Sequence, residues 1–154
     1  RLGYCGAPKE IIAGMNKIQS QSTTSTSSIS MAASVEALNG SQDFIDEHNQ
    51  AFVRRRDLVV NLLNQIDGLS CLTPQGAFYV YPSCAGVIGK ETPEGKKISN
   101  DEDFMSYLLE SEGIAGVHGA AFGLSPYFRL SYATNDETLK DACARIKRAC
   151  EKLK

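Results

Sequence analysis

The spacing of apolar positions changes several times along this chain, and each change marks an element. Ile11, Ile12 and Met15 follow Pro8 at helical spacing, and proline suits a helix's first position because its missing N–H would lack a partner there. Residues 20–30, SQSTTSTSSIS, are almost all hydroxyl-bearing. They read equally as a flexible linker or as a turn capping a short helix that carries Ile29, Ala32, Ala33 and Leu38 and closes at Asn39-Gly40. From Ser41, Ile45, Phe52, Val59 and Ile66 recur every seven residues, with Leu62 and Leu63 between them, until Gly68. That pattern predicts one helix of about 26 residues, roughly 39 Å long. With only about three heptads it is a better strut between two lobes than a coiled coil.

After Gly68 the period changes. SCLTPQGAFYVYP predicts a short strand, a turn at Pro74–Gly76 and a strand over Ala77–Tyr81. Residues 83–100, rich in Gly, Pro and Lys, read as a surface loop long enough to be functional. Ser99 and Glu102 form a capping box for a helix with Phe104, Met105, Leu108 and Leu109, which Gly113 ends. Ile114–Val117 reads as a brief strand. In YFRLSYA, Phe128, Leu130 and Tyr132 face one side and Tyr127, Arg129 and Ser131 the other. Thr134 and Glu137 form a second box, opening a helix with Leu139, Ala142, Cys143, Ile146, Cys150 and Leu153 on one face. The order α–α–long α–β–β–α–β–β–α is that of an α+β fold: a small antiparallel or mixed sheet flanked by helices.

Composition narrows the function. The 154 residues are 42% hydrophobic and 22% charged, with a net charge of −2, which leaves no electrostatic footprint for nucleic acid or an anionic membrane. The basic run Arg54-Arg55-Arg56 points three ways on a helix and reads as a solvated face. No apolar stretch approaches the ~20 residues of a membrane span. Cys5, Cys71, Cys84, Cys143 and Cys150 form an odd set without a CxxC pair, which argues against a disulfide framework or structural zinc and for a reducing cytoplasm.

Self-contained catalysis has little to build on. The histidines are His48, midway along the long helix, and His118, between glycines in GVHGAAFG. There is no GxSxG elbow, GxGxxG, Walker pattern or HExxH. A thiol enzyme using Cys5 or Cys84 lacks a placed histidine. Arg129 is more informative. An arginine on the polar face of a strand beside a glycine-rich loop offers a planar fork to a carboxylate; the same residue also reads as an exposed strand arginine or a structural ion pair. Arg1, beside LGYCG, is equally a phosphate ligand or a surface charge.

Taken together, RLGYCGAP, SQST, RRRDLVVNLLNQIDGLSCLTPQGAFYVYP, GVHGAAFG and FRLSYATNDETLKDACARI resemble one family in order across nearly the whole chain. They are similar to the C-terminal part of class I pyridoxal-phosphate aminotransferases of fold type I, of the aspartate aminotransferase kind. The resemblance implies the tail of a large cofactor-binding domain over residues 1–40 and the small domain over 41–154. It implies that Arg1 holds the cofactor phosphate, that Arg129 clamps the substrate α-carboxylate, and that Phe78 lines the substrate pocket while Tyr79 points to the opposite face. It also implies a homodimer, with Ser22–Ser28 near the partner subunit. Two features depart from the family pattern. Ser25-Thr26 stand where Asn-Pro is usual, and Ser20-Gln21 where some aspartate enzymes carry an arginine for the side-chain carboxylate.

The family's Schiff-base lysine lies a few residues before the phosphate-binding arginine, upstream of Arg1, so no catalytic residue is assigned within the chain. The expectation is a C-terminal fragment, inactive alone and prone to self-association through exposed apolar faces, of an enzyme that moves an amino group between an amino acid and a 2-oxo acid. The alternative is a stand-alone dimerisation or binding module derived from the same fold.

Overall fold

The computed structural model describes residues 2–154, and Arg1 lies outside the described residues. The chain divides into two compact units, one ending at Ile45 and the other spanning Asp46–Lys154.

In the first unit, α1 (Lys9–Gln21) starts after Pro8, whose carbonyl accepts from Ile11 and Ile12. The hydroxyl-rich stretch makes a turn in which the Thr24 N–H donates to the Gln19 carbonyl at 2.9 Å. Then α2 (Ser28–Asn39) begins, without a side-chain cap from Ser27. Neither helix buries a residue, and Ile11, Ile18, Ile29, Val35 and Leu38 are all exposed.

The long helix, α3 (Phe44–Leu63), has 20 residues, shorter than its heptad pattern predicts. Both ends are trimmed by local hydrogen bonding. At the start, the Ser41 hydroxyl accepts from the Asp43 N–H at 3.2 Å in a turn. At the end, the Gln65 and Ile66 N–H groups donate to Leu62 and Leu63, three residues back rather than four. The last of the heptad set, Ile66, is still buried, but from this tightened turn.

Three antiparallel strands form the sheet in the order β1–β3–β2: β1 (Tyr79–Val80), β2 (Val117–His118) and β3 (Phe128–Ser131). Tyr79 pairs with Ser131 and Val80 with Leu130; Val117 pairs with Arg129 and His118 with Phe128. The strand expected just after Gly68 is reduced to a single bridge between Ser70 and Ser83. Its next residue cannot join a ladder, because the Asn64 side chain takes both backbone groups of Cys71, at 2.7 and 2.9 Å. Strand pairing over 114–117 is confined to Val117, and the Ile114 N–H donates back to the Leu108 carbonyl at the end of the preceding helix.

The core lies between the sheet, α3, α4 (Asp101–Glu112) and α5 (Asp136–Glu151). Phe104 and Phe128 meet edge to face at 5.5 Å, both with no exposed surface. On α5, Leu139, Cys143, Ile146 and Cys150 are buried as their spacing predicts. Both capping boxes shift by one residue: Asn100 accepts from the Asp103 N–H, and Asn135 from the Thr138 N–H, each at 2.8 Å. The asparagine amide oxygen reaches the third helical N–H, as serine or threonine would. Gly113 ends α4 at φ +67.

The segment 83–100 is more than a surface loop. It buries Cys84, Val87, Thr92 and Ile98. Its ends are tied by Gly89 to Ile98 and Ile98 to Lys90, and Glu91 exchanges two 2.9 Å backbone bonds with Lys154.

A stacked arginine on the central strand

Strand β3 alternates as its sequence dictates. Phe128 enters the core and Arg129 emerges on the opposite face, half-buried. The antiparallel register then decides which aromatic stands beside it. Tyr79 pairs with Ser131 and so shares a face with Ser131 and Arg129. The Arg129 guanidinium carbon lies 4.4 Å from the Tyr79 ring centre and 4.5 Å from that of Phe122. Tyr79 is therefore an immediate neighbour of Arg129. Phe78 is one ring removed. It sits 4.6 Å from Tyr79 and 6.3 Å from Phe52, with 43% of its surface exposed.

Two aromatic faces against one guanidinium hold its plane without occupying its hydrogen-bonding edge. Among the described residues, Arg129 has no ion pair or side-chain hydrogen bond. Most other arginines of this unit are committed. Arg54 and Arg55 bind Asp136 at 3.0 and 3.3 Å, Arg56 binds Asp57 at 2.8 Å, and Arg148 binds Glu112. The basic run 54–56 is thus not a freely solvated face: two of its members bridge α3 to the start of α5. Arg129 is instead a fixed cation with an open fork, a geometry suited to a carboxylate.

Phe122 reaches Arg129 from a tight 3-10 turn, Gly119–Phe122. Gly119 is required there. A Cβ at that position would stand 2.1 Å from the Leu124 carbonyl and 2.7 Å from that of Tyr127. Tyr81 lies beneath the turn, its hydroxyl donating toward the Gly119 and Leu124 carbonyls at 3.2 and 3.3 Å. Its ring stacks on Tyr127 and meets Phe122 at its edge. Burial pushes the Tyr81 hydroxyl pKa up, as does the charge of Asp101, while the nearby Arg129 charge opposes the rise.

His118 closes β2, paired with Phe128, rather than lying in the loop, and His48 lies on α3. No group of three or more His, Cys, Asp or Glu among the described residues is placed to hold a metal ion. No helix among them is long and apolar enough to cross a membrane. Tyr79, Phe122, Tyr81 and Asp101 were not legible as a set, because strand alternation orders one strand's faces but does not say which neighbour pairs with it.

The sequence matches the family model for aminotransferase class I and II over residues 1–146. The chain belongs to this family. Among its relatives, the aspartate aminotransferase of Rhizobium meliloti (strain 1021) is 59% identical over 153 residues, 99% of this chain and 37% of the relative. The aspartate/prephenate aminotransferase of Cereibacter sphaeroides is 55% identical over 99% of this chain and 38% of the relative. Among solved structures, the Rhizobium meliloti aspartate aminotransferase superposes with a TM-score of 0.89 at 58% identity, covering 97% of this chain and 37% of that one. The Thermus thermophilus aspartate aminotransferase with maleate gives 0.78 at 37% identity, covering 94% and 35%. The family's α+β fold, with its small antiparallel sheet, is the fold found here. The chain spans a little over a third of the length of the relatives it matches.

Proposed function

We propose that this chain supplies the carboxylate-binding side of an aspartate-type aminotransferase, an enzyme that exchanges an amino group between an amino acid and a 2-oxo acid. One observation carries the reading: the Arg129 guanidinium lies over the rings of both Tyr79 and Phe122 with its fork unpaired. A cation fixed in this way binds a carboxylate bidentately and presents it in one orientation. The aspartate and aspartate/prephenate names of the relatives support a dicarboxylic amino acid as one substrate. Asp46–Lys154 then acts as the small domain, and the preceding unit as the tail of the large one.

The family implies pyridoxal phosphate, which stabilises negative charge at the substrate Cα when bound. Arg1, which the resemblance assigns to its phosphate, lies outside the described residues. The contribution of the described residues is positional. Arg129 neutralises and orients the substrate carboxylate, Tyr79 and Phe122 hold its plane, and Phe78 flanks Tyr79 at the exposed rim. The exposed apolar side chains of α1 and α2 support a homodimer in the intact enzyme. Five unpaired thiols support a cytoplasmic setting.

The test is Arg129→Lys in the complete holoenzyme. A loss of about tenfold or more in kcat/KM for a 2-oxo acid, with little change for the matching carboxylate-free aldehyde, is expected, because lysine keeps the charge but loses the fork. Equal losses for both, or none, would set the reading aside in favour of a binding module.

A further inference from the structure

Asp101 is the first residue of α4 and is 1% exposed. A carboxylate placed there must be hydrogen-bonded to remain charged. Its partners are on the loop that carries Phe122. The Ala120 N–H donates to Oδ2 at 2.8 Å and the Ser125 hydroxyl to Oδ1 at 2.6 Å. Residues 120 and 125 bracket Phe122, so one carboxylate staples both flanks of the segment that covers Arg129. The loop's own bonds, Gly123 N–H to Ala120 and Leu124 N–H to Gly119, close the turn but do not fix it against the rest of the unit. Its anchors outside the loop are Asp101, the Tyr81 hydroxyl, and the backbone bond from the Gly119 N–H to Tyr127.

We propose that Asp101 is a positioning residue for the carboxylate receptor: through Ala120 and Ser125 it sets the height of Phe122 over Arg129 and so the plane of the guanidinium. The inference rests on Arg129 being that receptor. Asp101 meets neither substrate nor Arg129 itself. Bidentate recognition is sensitive to orientation, so a tilt of the fork weakens carboxylate binding while leaving the charge in place. Asparagine at 101 keeps the shape but replaces one accepting oxygen with an NH2 group, so one of the two loop donors loses its acceptor.

The experiment uses the holoenzyme containing this chain, with Asp101→Asn and Ser125→Ala variants. The ratio of kcat/KM for a 2-oxo acid to that for the matching aldehyde is measured, alongside the Kd for maleate. In Asp101→Asn the ratio is expected to fall by about tenfold to a hundredfold, the penalty for a small misplacement of a binding group. The maleate Kd should rise in parallel. Ser125→Ala, which removes one of the two staples, is expected to show a smaller fall in the same direction. A merely structural aspartate would lower thermal stability and leave the ratio unchanged. An unchanged ratio in Ser125→Ala overturns the proposal even where Asp101→Asn does not fold. A wild-type holoenzyme with no preference for the oxo acid over the aldehyde would instead remove the function proposed for Arg129.

Discussion

Arg129 and Tyr79 lie on neighbouring strands two pairing positions out of line, with the guanidinium carbon 4.4 Å from the ring centre. The contact follows from the sheet: Tyr79 faces Ser131 directly, and Arg129 is the next residue of β3 on that face. It gives the cation a fixed plane in a protein where other arginines take carboxylates instead.

Tyr79→Leu in the holoenzyme removes that ring while keeping apolar bulk. Loss of a half-exposed cation–π contact is expected to weaken maleate binding by about 0.5–1 kcal/mol, a two- to fivefold rise in Kd. Phe122→Leu should have a similar effect, and isothermal titration of the two single variants checks both. Wild-type affinity in both would show that the fork needs no stacking to bind.

Glu112, the last residue of α4, is held by two cations of the final helix and tail. Arg148 Nε lies 3.1 Å from each carboxylate oxygen, and Lys152 Nζ lies 3.1 Å from one of them. The hydrogen bonds from Arg148 and Lys152, aided by their charges, outweigh desolvation and lower the carboxyl pKa from 4.5 to about 2. The folded value lies below the unfolded one, so the unfolded chain takes up the proton first as pH falls. The stabilisation is complete above the unfolded value and fades between about 4.5 and about 2. Glu112→Gln is therefore expected to melt below wild type at neutral pH, with the gap closing across that window. Thermal melts over a pH series measure it, and a pH-independent gap would contradict the assignment.

Gly68 and Gly86 cross backbone to backbone. The Gly86 N–H donates to the Gly68 carbonyl at 3.1 Å, and a Cβ on Gly86 would stand 2.5 Å from the Gly68 Cα. Neither main chain can move aside as a side chain would. Gly86→Ala is expected to destabilise the fold by about 1–3 kcal/mol, read as a lowered urea midpoint with an unchanged slope.

Four of the five cysteines are buried, and Cys5 is exposed. Burial raises the pKa of Cys84 and Cys150 to about 12 and of Cys143 to about 11, and it also raises that of Cys71. Thiolate is the reactive form, so these four are expected to be inert in the native chain. A disulfide reagent should titrate one thiol rapidly in native protein and four more only on unfolding. Cys5→Ser should abolish the rapid phase, and a second fast thiol would show that the core opens.

Periodicity was sufficient for the elements whose burial is one-sided. The stripe Leu139, Cys143, Ile146 and Cys150 predicts α5, and alternation in FRLSYA predicts both the strand and the outward Arg129. It erred where a side chain competes for the backbone. The amide of Asn64 consumes both backbone groups of Cys71 and prevents a strand there. The asparagines at 100 and 135, rather than their neighbours, cap the following helices.

The sequence by itself determined the family, the α+β order of elements and the identity of Arg129 as a candidate carboxylate receptor, because motifs and alternation are local in the chain. Only the tertiary structure decided what surrounds that arginine. Tyr79 precedes it by 50 positions and reaches it through strand register; Phe122 reaches it because Asp101, from a different helix, holds the intervening loop. Pairing register and loop anchoring depend on groups distant in sequence, and no periodicity within one segment encodes them.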